Sequence, residues 1–258
     1  MEWELIAILG GVAFIAGFVD SIAGGGGLLT LPALMLAGLS PVEALGTNKF
    51  QSVFGAGSAT ISFARARQID WRSALPYAFA SAAAGACGAL IATSISREVL
   101  SAIMPVILVV VALYFALSRR MSDVEVKARM NPLLFGFTVP LAVGFYDGCF
   151  GPGAGSFYML GFVTLLGYGV IKATAHTKLL NFGSNFGSLM VFSINGAFVI
   201  PIGLSMAIGA FLGAQLGSRA AMRFGSRLIR PLLIIICISM AIRLLFDPEN
   251  PLRLYFGI

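Results

Sequence analysis

The sequence predicts an all-α integral membrane protein with two inverted-topology repeats of about five helical segments each. Three observations predict this fold: an apolar composition, a glycine-rich break that occurs twice, and basic loops that differ between the two halves. The 258 residues are 58% hydrophobic and 11% charged, whereas soluble domains are about 25% charged. The mean hydropathy is +0.93. A soluble protein of this size would need a polar surface that this sequence cannot supply.

The chain divides into apolar segments, most of which approach the ~20 residues that span a bilayer as a helix. Two segments, each directly after a glycine-rich stretch, are shorter. About 12 helical residues cover only ~18 Å, so we expect broken helices, tilted short spans or re-entrant segments there. The segments are 5–22, 28–39, 46–63, 74–94, 99–117, 132–150, 154–169, 177–194, 199–217 and 229–246.

The order of segments repeats, which predicts two homologous halves. Gly17, Phe18 and Asp20 match Gly144, Phe145 and Asp147, and Lys49 matches Lys178 when TNKFQS (47–52) is aligned with HTKLLN (176–181). On the same alignment ARQIDW (66–71) corresponds to NGAFVI (195–200). We therefore predict a first membrane repeat over 1–118, a cytoplasmic linker over 119–131 and a second membrane repeat over 132–258.

Basic residues cluster in three loops, around 65–72, 119–129 and 219–230. Cytoplasmic loops are enriched in Lys and Arg, so these loops are expected on the cytoplasmic side. The number of segments between them is even, and both termini are then predicted outside. The loop at 65–72 is basic whereas its partner at 194–200 is uncharged, so equivalent loops lie on opposite membrane faces. That arrangement is the inverted repeat found in many transporters.

The glycine-rich breaks are the first candidate site. Unwound backbone is tolerated at membrane depth only where protein or water satisfies it, and the N-terminus of the following helix attracts anions. Close helix packing through small residues is the alternative interpretation. The predicted anion-binding residues of the two breaks are Gly24, Gly25, Gly26, Gly27, Gly151, Gly153, Gly155 and Ser156.

Two lysines, Lys49 and Lys178, each open an apolar segment in equivalent positions. They are either interfacial lysines that extend to water or cations beside a bound anion. Polar neighbours within apolar segments are expected to face the bundle interior. On the second interpretation the substrate-binding set also contains Thr47, Asn48, Lys49, Gln51, His176, Thr177, Lys178 and Asn181.

Asp20 and Asp147 lie at the inner ends of their apolar runs. Acids inside membrane segments often relay protons, which makes both residues candidates for proton coupling. The alternative is that each carboxylate caps the helix that begins at the break.

Catalytic and nucleotide-binding patterns are absent from the sequence. It has no Walker loop, no nucleophile elbow and no HExxH pair, and a single histidine predicts no metal site. We expect no enzyme, no cofactor, no metal and no nucleic-acid partner. The net charge of +6 is explained by the basic loops.

The stretch GFVDSIAGGGGLLTLPALMLAGLSPVEALGTNKF resembles the first signature of the TauE/SafE family of sulfite exporters, also called TSUP permeases. ARQIDW and the second-half motifs GFYDGCFGPGAGSF and ATAHTKLLNF look like the same family, and the likeness covers nearly the whole chain. The resemblance implies a multi-pass permease of the bacterial inner membrane for small anions such as sulfite, thiosulfate or sulfonates. Pro152 and Ala154 depart from the glycines of the first break, so we expect the two sites to differ.

The sequence therefore predicts a secondary transporter that moves a small anion, a sulfur-containing oxyanion or organosulfonate, by alternating access. The alternative is an anion channel without coupled transport. Expected partners are the anionic substrate, a proton or another coupling ion, and the lipid bilayer. Small-residue faces such as SAAAGACGA would pack internally or form a homodimer.

Overall fold

The computed structural model describes residues 3–96, 99 and 124–225, and the regular elements in these ranges are all α-helices. The positions of these helices agree with eight of the predicted apolar segments. The segments at 99–117 and 229–246 and the first part of the linker, 119–123, lie outside the described residues. The helices are α1 Trp3–Ala23, α2 Gly27–Leu36, α3 Pro41–Arg65, α4 Trp71–Ser94, α5 Pro132–Cys149, α6 Ala154–Thr164, α7 Val170–Ile194 and α8 Ile200–Phe224.

Both glycine-rich stretches break the helical path, as predicted. Helix α2 has 10 residues and α6 has 11, so each is about 15–17 Å long, roughly half of a ~30 Å hydrocarbon layer. Gly24 and Gly153 turn the chain at φ +69° and +77°, a left-handed conformation that glycine adopts without steric cost. Each half therefore carries a helix, a glycine turn and a half-length helix.

Within the described part of the chain, four helices are long and apolar enough to cross a membrane, namely α1, α4, α5 and α8. Helices α3 and α7, with 25 residues each, are equally long but more polar. Lys49 on α3, Lys178 on α7, the asparagines of both helices and many of their serines and threonines are buried against the other helices. The polar helices thus form the interior of the bundle, whereas large apolar side chains such as Ile8, Phe79, Leu133, Phe137 and Ile208 are exposed on its outer surface.

Helices α3 and α7 begin earlier in the sequence than the apolar segments predicted. Helix α3 begins at Pro41 because Ser40 and Glu43 form a reciprocal capping box: the Glu43 N–H donates to Ser40 Oγ and the Ser40 N–H donates to Glu43 Oε2. Such a box satisfies N–H groups that have no acceptor within the helix. The hydropathy of a segment does not detect this signal.

Contacts between the two halves occur in exchanged pairs. Helix α1 packs on α8 and α5 packs on α4, while α3 packs on α8 and α7 packs on α4. A Cβ atom at Gly17 would lie 2.5 Å from the carbonyl oxygen of Ala210, and one at Gly144 would lie 2.7 Å from that of Ser81. Small residues allow this approach.

Candidate functional site

The two glycine turns touch each other at the centre of the bundle. A Cβ atom at Gly24 would lie 2.5 Å from the carbonyl carbon of Gly155 and 2.6 Å from the backbone nitrogen of Ser156. The Ser156 hydroxyl shares its single proton between the carbonyl oxygen of Ala23, at 2.8 Å, and that of Gly24. The last turn of α1 is therefore joined directly to the first turn of α6.

Asp20 links the first break to a lysine of the other half. Its Oδ1 accepts hydrogen bonds from the N–H groups of Gly25 and Gly26, at 2.9 and 3.0 Å. Its Oδ2 lies 2.9 Å from the Nζ of Lys178, which also donates to the Asp20 carbonyl oxygen. The carboxylate thus caps the backbone of the broken helix and pairs with a cation from α7.

Asp147 makes the reciprocal pair in the second half. The Nζ of Lys49, on α3, lies 2.7 Å from Asp147 Oδ1 and also donates to the Asp147 carbonyl oxygen. The hydroxyl of Ser184 donates to Asp147 Oδ2. Each half therefore contributes the acid of one ion pair and the lysine of the other.

Both lysine side chains are 0% exposed, so neither behaves as an interfacial lysine that extends to water. Removing one partner of a buried ion pair costs about 3–5 kcal/mol because the other charge is left uncompensated. With two lysines and two aspartates, the formal charges of these four side chains cancel. The pairs hold α3 against the second break and α7 against the first.

A cavity with about 340 Å³ of empty space, including the part that opens to solvent, lies between the two breaks. We call it the central cavity. Its lining combines glycine backbone with amide, hydroxyl and carboxylate groups from both halves. The lining residues are Asp20, Gly25, Gly27, Asn48, Ser52, Ala56, Asp147, Gly151, Gly153, Ala154, Gly155, Asn181 and Asn185.

Two asparagines present amide groups to the central cavity. Asn48 Oδ1 accepts hydrogen bonds from Thr30 Oγ1 at 2.6 Å and from Gln51 Nε2 at 3.0 Å, which leaves its Nδ2 next to Gly27. Asn181 Oδ1 is buried and has no hydrogen-bond partner among the described residues. Buried polar atoms are nearly always hydrogen-bonded in native proteins. The central cavity therefore offers an amide donor and an unsatisfied acceptor to a ligand.

The structure brings about half of the predicted site residues to the cavity wall. Those in the wall are Asp20, Gly25, Gly27, Asn48, Asp147, Gly151, Gly153, Gly155 and Asn181. Behind the wall lie residues that hold it in place through the contacts described above or through the turn itself, namely Gly24, Gly26, Lys49, Gln51, Ser156 and Lys178. The remaining three, Thr47, His176 and Thr177, are buried outside this wall.

Thr47 and His176 have equivalent structural contacts. Thr47 Oγ1 accepts a 3.0 Å hydrogen bond from the N–H of Val199, and His176 Nε2 accepts one of 3.3 Å from the N–H of Asp70. Val199 and Asp70 are the residues that precede α8 and α4, and the repeat alignment makes them equivalent. Both side chains therefore fix the start of a helix in the opposite half, and their role in substrate binding stays a prediction.

Sequence reasoning did not assign Ser52, Ala56, Ala154 and Asn185 to the site. A signal for two of them was available. Ser52 aligns with Asn181 in the repeat, and Asn185 lies one turn after Asn181 on the polar face of α7. Among the described residues, no three His, Cys, Asp or Glu side chains come together as a metal site.

Comparison with known proteins assigns the family. The model of the family "Sulfite exporter TauE/SafE" matches residues 9–244. A probable membrane transporter, ORF9, from Sinorhizobium sp is 54% identical over 100% of this chain and 98% of its own length. The probable membrane transporter YfcA of Escherichia coli K12 is 45% identical over 95% of this chain and 91% of its own length. A probable membrane transporter from Haemophilus influenzae is 41% identical over 95% of this chain and 96% of its own length. No solved structure matches the chain. With apolar helices around a polar interior and this match over nearly its full length, the chain is a multi-pass membrane protein that belongs to the TauE/SafE sulfite exporter family.

Proposed function

We propose that the protein is a secondary transporter that moves a small anion, a sulfur-containing oxyanion or an organosulfonate, across the bacterial inner membrane by alternating access. One observation carries this proposal: the first turns of the half-length helices α2 and α6 meet at a small cavity lined by glycine backbone and asparagine side chains. Transporters commonly direct half-helix N-termini at the anionic group of a substrate. The substrate class is supported by the name of the matched family, and the relatives are named as membrane transporters.

The proposal includes an inverted relation between the halves, with both termini outside. Its support is the charge difference between equivalent loops together with the exchanged contacts of α1 with α8 and of α5 with α4. Rocking one half against the other would then open the central cavity to each side in turn.

The crossed ion pairs favour a carrier over an open channel. Lys49–Asp147 and Lys178–Asp20 join the two halves on both sides of the central cavity. An alternating-access cycle moves the halves relative to each other and so changes these pairs in every turnover. A channel would instead need a continuous open pore.

Anion binding is tested by thermal stabilisation of the purified protein with sulfite, thiosulfate, sulfate, sulfoacetate, isethionate, taurine, acetate and chloride. A ligand at 100 times its dissociation constant stabilises the folded protein by about 2.7 kcal/mol. We expect one chemical group within this panel to raise the unfolding midpoint. Asn181→Ala should abolish the effect, because Asn181 lies in the cavity wall. Asn195→Ala, an exposed residue that caps the end of the same helix, should retain it.

A panel without any effect on the parent protein, or an Asn181→Ala variant that responds as the parent does, contradicts the site. For an anion that binds, uptake into proteoliposomes separates the two mechanisms. A carrier gives saturable flux and counterflow, in which unlabelled anion on the opposite side accelerates entry of labelled anion. Flux that rises linearly with concentration and shows no counterflow would establish the channel.

A further inference from the structure

The two ion pairs differ in their access to water. The side chains of Lys49 and Asp147 are 0% and 4% exposed, whereas Asp20 is 25% exposed although its partner Lys178 is at 0%. The second carboxylate oxygen of Asp147 also accepts a hydrogen bond from the Ser184 hydroxyl. The Lys49–Asp147 pair is therefore the more buried of the two, with Asp147 in the wall of the central cavity, whereas the Lys178–Asp20 pair reaches water through its acid.

Asp20 also borders a second cavity between α1, α3 and α8, with about 230 Å³ of empty space including the part that opens to solvent. This side cavity is lined mostly by small residues and shares Asp20, Ser52 and Ala56 with the central cavity. Neither Lys49 nor Asp147 lines it. A proton or an anion that comes through the side cavity meets Asp20 before it meets any other charged residue of the two pairs.

The charge balance of the central cavity sets a condition for anion binding. The four paired side chains are formally neutral, so a bound anion would leave an uncompensated negative charge, which is costly away from water. Lys178 Nζ lies beside the cavity wall, 3.6 Å from the position of a Cβ atom on Gly155. If Asp20 binds a proton, this ammonium group loses its carboxylate partner at the edge of the cavity.

We propose that Asp20–Lys178 is the coupling pair of the transporter, an inference that rests on the function proposed above. The Asp20 carboxylate takes one proton from water and becomes a neutral acid. Lys178 keeps its own proton. Its ammonium group loses its ionic contact with Asp20 and pairs with the anion instead. One proton and one monovalent anion enter together, so the cavity stays neutral. The more buried Lys49–Asp147 pair stays intact while the proton and the anion bind.

Other charged groups face Asp20 less directly. Lys178 on α7 is the charged residue in contact with it, and Asp147 with Lys49 lies across the central cavity. The contacts from the first break, Gly25 and Gly26, are backbone N–H groups that do not titrate. On α3 and α8 the neighbours Gln51, Ser52 and Ala210 are uncharged.

The test measures the affinity for isethionate between pH 5 and pH 8 by calorimetry on the full-length protein. The sulfonate stays ionised over this range, so a pH effect comes from the protein. If binding takes up one proton, the dissociation constant of the parent rises tenfold per pH unit in the range where Asp20 is ionised in the free protein. Asp20→Asn, a mimic of the protonated acid, should bind with a constant that is independent of pH. Glu125→Gln is the control: it removes an exposed carboxylate that pairs with Lys172 and lines neither cavity, so it should keep the tenfold slope.

An Asp20→Asn variant with the slope of the parent, or a pH-independent Glu125→Gln variant, overturns the assignment. A second measurement needs no variant: calorimetry in two buffers of different ionisation enthalpy counts the protons taken up per anion bound to the parent. We expect one, and a count of zero overturns the coupling. A dissociation constant that depends on sodium concentration and not on pH also overturns the coupling. The absence of isethionate binding at every pH tested overturns it as well. The anion panel decides the proposed function separately, because an anion that binds with no pH dependence removes only the coupling.

Discussion

The contact between the two glycine turns predicts the effect of a single added methyl group. Gly24→Ala introduces a Cβ atom 2.5 Å from the carbonyl carbon of Gly155 and 2.6 Å from the backbone nitrogen of Ser156. It also imposes φ +69° on a residue with a side chain, which costs about 1–2 kcal/mol. Displacing packed backbone adds about 1–3 kcal/mol, so the total is about 2–5 kcal/mol.

Gly38→Ala is the matched control. Gly38 has φ +89°, but a Cβ atom there has no neighbour within 4 Å, so only the conformational cost of about 1–2 kcal/mol applies. The assay is the thermal unfolding midpoint in detergent, which shifts by roughly 2–4 °C per kcal/mol for a chain of this size. We expect Gly24→Ala to lower the midpoint further than Gly38→Ala, by the equivalent of about 1–3 kcal/mol for the displaced backbone. Equal shifts for the two variants would refute the direct contact between the turns.

Two further predictions use the same measurement. Lys49→Met leaves Asp147 buried without its cation and should cost about 3–5 kcal/mol, whereas Lys49→Met with Asp147→Asn should recover most of the loss. A double variant no more stable than the single one would contradict the pairing. Thr47→Val removes the acceptor of the Val199 N–H and should cost about 1–3 kcal/mol. Thr60→Val, at a buried hydroxyl without a partner among the described residues, should have little effect, and equal losses would argue against the Thr47 contact.

Helices and breaks were predictable because their signals are local. The apolar run that ends at Asp20 and the four glycines after it are adjacent in the sequence, and the structure ends α1 and starts α2 within them. The polar helices α3 and α7 were predicted too short, since the sequence signal was hydropathy. Their first turns are set by the capping pair Ser40 and Glu43 in one case and by a turn that ends at Gly169 in the other.

The partners of the charged residues could not be predicted from local patterns. Lys49 and Asp147 are 98 residues apart in the chain, and Lys178 and Asp20 are 158 apart. Each residue was recognised as unusual for a membrane segment, but the choice between capping, coupling and anion binding depended on which residue faced it. The repeat alignment indicated which of these residues are equivalent and carried no information on which of them are in contact.

The crossed arrangement explains why a lysine and an aspartate appear in each half. Under the proposed mechanism a pair within one half would move as a unit, and its charges would not respond to rocking. A pair between the halves, such as Lys178 with Asp20, must stay closed or exchange its partner when the halves move. Opening it with nothing in exchange leaves a buried charge uncompensated, at about 3–5 kcal/mol. An equilibrium penalty of that size reduces the population of the opened state by more than a hundredfold, since each 1.4 kcal/mol is about tenfold. A bound anion with a proton on Asp20 removes the penalty, so the movement that carries substrate is favoured over the movement of an empty site.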